Sequence, residues 1–500
     1  MFFKEEFRRK SLKLFLILDT FLIIAILVWG ISSIYLMDED SKRELAQVAE
    51  ILPARAATTF TVNTSISAAN TTFDNDDITC DGAITLTIDG AHPFNSLSLI
   101  NGCTLTHTIS TTSTINKLNL TIAGTLSICS TCSIDVTGKG FLGGSNSGAS
   151  VNGQTSNGAG GQQAGTDVYN GGSHGGLGGQ QFTVTKNAVY DSIVNPSEPG
   201  GGGSNNGGVN LGNDGGGPGS CANSPNHRVS GGGGRIALRY ATNGGLFAIP
   251  PTNILANAPQ GLNTGVSTAA FTGGAGTVYL EETDVHTSNQ GILVVDNADS
   301  LTVDEVTPLG ATETFAEIYI KNKAEVVGST INAVNLSLIN DGRLRHTRST
   351  ISIIPKLILN ISGTLLIDGT TSLDVTGKGF LGGSNASASV NGQTSNGAGG
   401  QQAGTDVYNG GSHGGLGGQQ FTVTKNAVYD SIVNPSEPGG GGSNNGGVNL
   451  GNDGGGKEDS VLLPVSVLIH PIKEFPEEEE ESRFVMRPIA VYLPSRRQIF

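Results

Sequence analysis

The chain has 500 residues, of which 74 are glycine, while charged residues make up only 14%. Its formal net charge of −15 and its pI near 4.9 leave no basic surface to follow a phosphate backbone, which argues against nucleic-acid binding. Runs rich in Thr, Ile, Leu and Val alternate with Gly, Asn, Asp and Ser, a composition typical of short strands joined by tight turns.

The N-terminal segment is predicted to anchor the chain in a membrane. Residues 14–37 form a run of 24 residues with a single charge, Asp19, which is long enough to cross a hydrocarbon core of roughly 30 Å. Basic residues precede the run and acidic residues follow it, so the positive-inside rule predicts a cytoplasmic stub at 1–13. The sequence therefore predicts a single-pass cell-membrane protein in which residues 14–37 contact the lipid bilayer and the bulk of the chain is extracellular.

A cleaved signal peptide is the alternative, with Ala54-Arg55-Ala56 as its cleavage site. The apolar run is longer than the usual signal segment and ends well before that site, which favours an uncleaved transmembrane helix. Residues 38–57 would then form a stalk between the anchor and the external part.

A glycine-rich segment occurs twice in the chain. Residues 135–217 return at 374–456, 239 positions later, with differences only at positions 147 and 148. The same offset holds without gaps from Leu97 but fails upstream of about residue 90, where an insertion or deletion must lie. Self-similarity at a fixed offset indicates a repeat architecture.

The repeat divides the external part into two predicted units. Unit 1 spans 58–300 and contains a glycine-rich excursion at 138–217. Unit 2 spans 301–456 and is truncated, with its excursion at 377–456. Apolar residues recur through each excursion, so we expect an ordered layer packed on the outside of the fold and not a free tether. In unit 1 they are Phe141, Leu142, Val168, Tyr169, Leu177, Phe182, Val184, Val189 and Tyr190.

The spacing of aliphatic residues predicts a parallel β-helix. From Thr58 onward apolar residues alternate with polar ones, which is the period of a strand. Aliphatic residues also recur 21 positions apart, and each coil of a parallel β-helix places its inward residues over those of the coil below. We therefore expect members of each series to be buried and stacked on adjacent coils. The series are Ile78, Leu99 and Leu120; Ile84, Leu105 and Leu126; and Leu336, Leu338 and Leu344 with Leu357, Leu359 and Leu365.

Several phrases of the sequence resemble a known class of proteins. They are Ser133-Ile-Asp-Val-Thr-Gly-Lys-Gly140, the glycine-rich insert with Tyr190-Asp-Ser-Ile-Val-Asn-Pro-Ser-Glu-Pro-Gly200, and the phrases Gly-Gly-Arg-Ile-Ala-Leu and Gly-Ala-Gly-Thr-Val-Tyr-Leu. Together they resemble bacterial cell-surface proteins with right-handed parallel β-helix, adhesin-like, glycine-rich repeats, over roughly residues 60 to 456. The resemblance implies an all-β surface filament or adhesive module, and it carries over no catalytic residue.

A structural or adhesive role without catalytic activity is therefore the expected function, with an extracellular glycan or surface partner left open. The alternative is a polysaccharide-active enzyme, a lyase or glycosidase built on a parallel β-helix. Such an enzyme needs paired carboxylates, or a carboxylate and a basic residue, facing a groove. Glu281, Glu282 and Asp284 form the tight acidic cluster of the β region, whereas the sole tryptophan, Trp29, lies in the predicted membrane span. No catalytic residue and no cofactor are predicted.

Four cysteines are candidates for disulfides. Cys80 and Cys103 are separated by about one coil, which would bring them within disulfide reach on neighbouring coils. Cys129 and Cys132 form a Cys-x-x-Cys motif that could be a turn staple, two free thiols, or a redox or metal pair. A metal knuckle would need a second pair, and only Cys221 remains.

No metal site is predicted, although calcium stays open. Residues 205–214 share features with the glycine-aspartate calcium nonapeptide, but Val209 and Asn210 stand where the paired glycines belong. His174 and His413 have no cysteine or carboxylate at ligand spacing, so both are expected to be exposed loop histidines.

The tail at 457–500 is unrelated to the repeat, and no packing role is predicted for it. It begins where the continuation of the first unit is missing. One explanation is a shifted reading frame, because codons for Lys457-Glu-Asp-Ser-Val-Leu-Leu463 can also be read as Gly-Gly-Gln-Arg-Ile-Ala, close to the Gly-Gly-Arg-Ile-Ala of unit 1. The other explanation is a genuine divergent tail.

Overall fold

Strands form all the regular structure in the part of the chain that the computed structural model describes. The predicted stub 1–13, the span 14–37 and nearly all of the stalk lie outside that part. Within it, no helix is long and apolar enough to cross a membrane. The described residues are 56–111, 113–141, 150–151, 171–179, 188–203, 205–206, 231–245, 248–257, 273–298, 305–310, 313–349, 353–382, 389–390, 410–418, 427–431, 437–445, 458–462 and 466–470.

The strands are numbered in chain order. They are β1 (Ala57–Phe60), β2 (Thr64–Ile66), β3 (Asp77–Asp81), β4 (Thr85–Ile88), β5 (Gly90–Phe94), β6 (Ser96–Ile100), β7 (Thr104–Thr106), β8 (Leu118–Ile128), β9 (Ser133–Asp135), β10 (Ser150–Val151), β11 (Asn205–Asn206), β12 (Arg235–Asn243), β13 (Ile254–Leu255), β14 (Thr277–Glu282), β15 (Ile292–Asp296), β16 (Thr307–Leu309), β17 (Thr314–Lys321), β18 (Glu325–Gly328), β19 (Thr330–Ile339), β20 (Arg343–Arg345), β21 (Leu357–Ile361), β22 (Thr364–Asp368), β23 (Ser372–Leu373), β24 (Ser389–Val390), β25 (Asn444–Asn445), β26 (Glu458–Leu462) and β27 (Ser466–His470).

Apart from the short antiparallel pairs β10–β11 and β24–β25, the strands pair into one large sheet and two walls beside it. The 14-stranded sheet has the order β1-β3-β6-β8-β12-β14-β15-β17-β19-β21-β26, with β5, β22 and β27 attached to it. The walls have the orders β13-β9-β7-β4-β2 and β16-β18-β20-β23. The chain passes repeatedly from the large sheet to a wall and back, and these sheets pair in parallel apart from β14 with β15. This mostly parallel all-β arrangement is compatible with a β-helix-like fold.

Alternating burial builds the core of each coil. In β3 and β6 every second residue points inward, so that Ile78 lies opposite Leu97 and Cys80 lies opposite Leu99. These four side chains are at most 1% exposed. Apolar side chains therefore stack in register from coil to coil, as the alternating sequence predicts.

Asparagine residues shape the corners between the large sheet and the walls. Asn101, Asn322 and Asn340 have φ values of 56°, 55° and 50°, in the left-handed region that asparagine tolerates better than most residues. Their side chains also join neighbouring coils. The Asn340 amide donates to Asn322 Oδ1 at 3.1 Å, and the Asn322 amide donates to Asp296 Oδ1 at 2.8 Å.

The β14–β15 hairpin separates two hydrophobic clusters. Its two strands pair antiparallel, and Val278 on one face belongs to the first cluster, whereas Tyr279 on the other face belongs to the second. In β15, Val294 and Val295 divide between the clusters in the same way. Strand direction and core face thus reverse together at the hairpin. Either reversal alone would invert the hand of coiling, so both together preserve it.

The expected stacking of residues 21 positions apart is wrong in register. Leu99, Leu105, Leu120 and Leu126 are all buried, but Leu99 pairs with Ile128 and not with Leu120. The corresponding step in the second half joins Leu336 to Leu365, again further along the chain than expected. Other steps are shorter than expected, as from Ile78 to Leu97 and from Leu86, in place of the expected Ile84, to Leu105.

Strand geometry explains this error. Inward positions recur every second residue, so a shift of two positions along a strand leaves the same face inward, and an aliphatic pattern cannot distinguish steps that differ by two. The longer step arises because β8 is long enough to pair with two strands, β5 through its first half and β6 through its second.

The tail has a packing role, contrary to expectation. In the first half β12 pairs with β8, whose repeat counterparts are β21 and β22. In the second half β26 pairs with β21 and β27 pairs with β22, both in parallel. The two described strands of the tail therefore occupy the sheet position that β12 occupies in the first half.

We predict that Leu97→Ala lowers the free energy of unfolding by roughly 2 to 5 kcal/mol, because it leaves a cavity in a closely packed coil. Val285→Ala is the control, since Val285 is 69% exposed, and it should change stability by less than about 0.5 kcal/mol. Denaturant unfolding of both variants checks this. Equal stabilities would mean that Leu97 is not a core position.

Candidate functional site

The first glycine-rich excursion forms a layer of closely packed backbone. We call it the first glycine layer and define it by the described residues 171–179, 199–203, 231–234 and 273–276. A Cβ atom added to Gly172 would lie 2.1 Å from Gly201 O, and one added to Gly232 would lie 2.0 Å from Gly176 O. Glycine is required here because any side chain would collide with backbone.

Backbone hydrogen bonds connect the segments of this layer. Gly232 N donates to Gly172 O at 2.8 Å, and Gly175 N donates to Gly233 O at 2.9 Å. Gly274 N donates to Leu177 O at 2.8 Å. These bonds satisfy the buried peptide groups that bare glycine backbone would otherwise leave unpaired.

Apolar side chains anchor the excursion as expected where it is described. Phe141 is fully buried, and its N–H donates to Gly200 O at 2.7 Å. Ile193 is 5% exposed and joins the second hydrophobic cluster. The expected anchors Leu142, Val168, Tyr169, Phe182 and Val184 lie outside the described residues. The layer is thus bonded to Phe141 through Gly200 O, and its own residue Ala275 belongs to the second cluster.

His174 is buried in the first glycine layer, so the expectation of an exposed loop histidine is wrong. Only 2% of the residue is exposed, and its Nε2 lies 3.5 Å from Asp191 Oδ2. Its ring also lies against Tyr190, with 5.0 Å between the ring centroids. No sequence pattern indicated this pair, because Asp191 lies well beyond ligand spacing from His174 and the chain between them has no regular period.

Asp191 organises the turn that follows. Its carboxylate accepts hydrogen bonds from the backbone N–H groups of Ser192, Ser197 and Glu198 at 2.9, 2.6 and 2.8 Å. Burial alone would raise the pKa of Asp191, but the hydrogen bonds from His174 and from these N–H groups hold that pKa well below its ordinary value. Burial lowers the pKa of His174, so its imidazole is neutral near pH 7.

A cleft lies between the first glycine layer and strand β12 of the large sheet, and it was not predicted from the sequence. Its lining includes His107, Lys117, His174, Glu198 and Arg235. These residues come from distant parts of the chain, so no motif brings them together in the sequence.

Structural contacts already engage the ionisable groups of this cleft. Arg235 Nε donates to Tyr190 O at 3.1 Å, and Lys117 Nζ donates to Ser197 O at 3.2 Å. Burial lowers the pKa of His107, whose Nδ1 lies 2.8 Å from Thr108 O. The described part of the chain contains no group of three or more His, Cys, Asp or Glu residues that could hold a metal ion.

The acidic cluster of the alternative enzyme does not form a pair of carboxylates facing a groove. Glu281 is 3% exposed, and its Oε2 accepts hydrogen bonds from Tyr279 Oη at 2.6 Å and from Asn289 N at 3.1 Å. Arg239 Nε lies 3.3 Å from the same oxygen. By contrast, Asp284 is exposed. The Glu281 carboxylate is therefore engaged in structural contacts.

The cysteines are joined in two disulfides. Cys80 pairs with Cys103 across neighbouring coils, with 5.9 Å between Cα atoms, and both residues are fully buried. Cys129 pairs with Cys132 within one turn, with 5.0 Å between Cα atoms. Cys221 lies outside the described residues, as do positions 207–214 of the calcium-like phrase.

The second glycine layer repeats the local contacts of the first. We define it by the described residues 410–418, 427–431 and 437–443. His413 Nε2 lies 3.3 Å from Asp430 Oδ2, and Tyr429 Oη donates to Pro438 O at 2.6 Å. The bonds internal to the repeated sequence therefore form in both copies.

Comparison with protein-family models, with curated proteins and with solved structures finds no match to this chain.

The two disulfides are predicted to stabilise the fold unequally. Removing Cys80–Cys103 with a double Cys→Ala change should cost roughly 3 kcal/mol, because that bond closes a long loop, and removing Cys129–Cys132 should cost roughly 1.5 kcal/mol less. In the repeat, Asp368 and Thr371 replace Cys129 and Cys132 without loss of the turn. Thermal unfolding of the two double variants is the measurement, and a larger loss for Cys129–Cys132 would contradict it.

Glu281→Gln is predicted to lower the free energy of unfolding by about 1 to 3 kcal/mol, because Arg239 loses its ion pair and the Tyr279 hydroxyl loses a charged acceptor. The control is Asp284→Asn, an exposed change that should stay within about 0.5 kcal/mol. Chemical denaturation compares the two. If Glu281→Gln matched the control, the buried contacts of Glu281 would not contribute to stability.

Proposed function

We propose that this chain is a membrane-anchored cell-surface protein with a structural or adhesive role. Its external part would be a right-handed parallel β-helix in two tandem units at 58–300 and 301–456. The observation that carries the proposal is the large sheet, in which strands from β1 to β26 pair in register on both sides of the β14–β15 hairpin. A continuous sheet of this kind suits a spacer or an adhesive surface.

The hand of the proposed coils rests on two arguments. Connections between parallel strands of one sheet are right-handed in about 98% of cases. The hairpin reverses strand direction and core face together, so coils before and after it share one hand. Two units that share one repeated sequence would coil with the same hand.

The proposed location rests on the sequence and on the disulfides. The apolar run at 14–37, with basic residues before it, favours an N-terminus inside and the rest of the chain outside. The pairs Cys80–Cys103 and Cys129–Cys132 suit an oxidising compartment outside the cytoplasm.

The enzymatic alternative has less support. The carboxylate cluster that motivated it is divided between a buried, hydrogen-bonded Glu281, a half-buried Glu282 that accepts from Asn243 N at 3.1 Å, and an exposed Asp284. Glycan cleavage that is lost in Glu282→Gln, with the fold intact, would favour the enzyme.

The anchor is tested by Ile24→Arg combined with Ile26→Arg in cells that produce the full chain. Each arginine at the centre of a membrane helix costs about 2.5 to 3.5 kcal/mol, so the double variant should leave the membrane fraction. The control is Ile51→Arg in the stalk, which should stay with the membrane. In the unchanged protein, a protease added to intact cells should digest the part after residue 57. A soluble wild-type chain, or one cut after Ala56, would contradict the proposal.

A further inference from the structure

The two glycine layers have the same sequence but different surroundings. Gly231–Gly234 and Gly273–Gly276 are buried across the first layer. The repeat ends at Gly456, before the counterparts of these two segments. Among the described residues, no counterpart of either segment covers the second layer.

Exposure shows the difference residue by residue. Gly175 and Gly176 are buried, whereas their counterparts Gly414 and Gly415 are exposed. Leu416, the counterpart of the half-buried Leu177, is 59% exposed. The His413 side chain is 23% exposed, against 3% for His174.

Hydrogen bonding shows it as well. In the first layer the N–H groups of Gly175 and Gly176 donate to Gly233 O, and that of Leu177 donates to Val306 O. Among the described residues, the N–H groups of Gly414 and Gly415 have no backbone acceptor. The exposed backbone of Gly414, Gly415, Leu416 and Gly418 is here named the open glycine face.

We propose that the open glycine face is a docking site for an extended, glycine-rich segment of another polypeptide, with glycine at the position that corresponds to Gly232. The argument is continuity with the first layer, where Gly231–Gly234 occupies the corresponding position. Its carbonyl oxygens accept from the layer and its N–H groups donate back, as in the bond from Gly232 N to Gly172 O. The inference holds whether or not the chain is anchored at a cell surface.

The geometry selects glycine in the occupant. In the first layer a Cβ atom on Gly232 would lie 2.0 Å from Gly176 O, whose counterpart in the open glycine face is Gly415 O. A peptide with alanine at the second glycine should therefore be rejected. A second copy of this chain is not the proposed occupant, because its own Gly231–Gly234 is buried.

The open face also offers a variant that blocks docking without disturbing the fold. A Cβ atom on Gly175 would lie 2.5 Å from Gly234 O, whereas none of the described atoms lies within 4 Å of a Cβ atom on Gly414, the counterpart of Gly175. Gly414→Ala should thus keep the melting temperature of the full chain while placing a methyl group where the occupant's backbone must lie.

The test is titration of the full chain with a fluorescent Ser-Gly-Gly-Gly-Gly-Arg peptide, the sequence of residues 230–235. We expect saturable binding of one peptide per chain. The matched peptide Ser-Gly-Ala-Gly-Gly-Arg should bind at least tenfold more weakly, and Gly414→Ala should weaken binding of the first peptide by at least the same factor.

Several results would overturn the proposal. They are absence of saturable binding, equal binding of the alanine peptide, and unchanged affinity in Gly414→Ala with its melting temperature preserved. Sedimentation of the chain alone gives one more check. A dimer that Gly414→Ala converts to a monomer would identify a second copy as the occupant.

Discussion

In-register stacking of parallel coils is the constraint on which the described fold depends. Each inward aliphatic side chain contacts the one above and the one below it, as Ile78, Leu97 and Leu126 do along the first half. Burial on that scale is the main favourable term in folding, at about 25 cal/mol for each Å² of apolar surface removed from water. The corner asparagines, the disulfide between Cys80 and Cys103 and the anchored glycine layer all lie where this register places them.

The β14–β15 hairpin allows the register to continue past a change of strand direction. Both faces of the hairpin are buried, because one faces the first hydrophobic cluster and the other faces the second. An edge strand with an exposed hydrophobic face would be a site of aggregation. Each face of the hairpin is covered by one of the two clusters, so neither face is exposed. Arg239 and Glu281 lie beside it, so a charged pair is held where two apolar cores meet.

Much of the strand content could be predicted from the sequence, and the register could not. Period-two alternation from Thr58 onward indicated strands, because inward residues must be apolar wherever one face is buried. The pairing of Leu97 with Leu126 was missed because every second residue of a strand faces inward, so aliphatic spacing leaves register undetermined by multiples of two. The length of β8 also mattered, because β8 pairs with β5 as well, and no local sequence pattern predicts that additional pairing.

The candidate site was harder to predict than the strands. Glycine-rich composition indicated close backbone packing, but not which segments meet, because glycine has no side chain to carry a pattern. His174 and Asp191 contact each other across a turn whose shape depends on Asp191 itself, at φ 70°. The open glycine face could not be inferred from the repeat, since identical residues differ only in what covers them.

Engineered disulfides in the second half test the register most directly, because the native cysteines all lie before residue 222. Ser337 and Leu366 are Cα partners on neighbouring parallel strands, roughly 4.8 Å apart, which is within disulfide reach. Ile358, 21 positions from Ser337, instead pairs with Thr330, which lies seven positions before Ser337 on the same strand and so roughly 23 Å away. Oxidation should cross-link Ser337→Cys with Leu366→Cys and leave Ser337→Cys with Ile358→Cys unlinked. The reverse result would contradict the pairing of β19 with β22 and the account built on it.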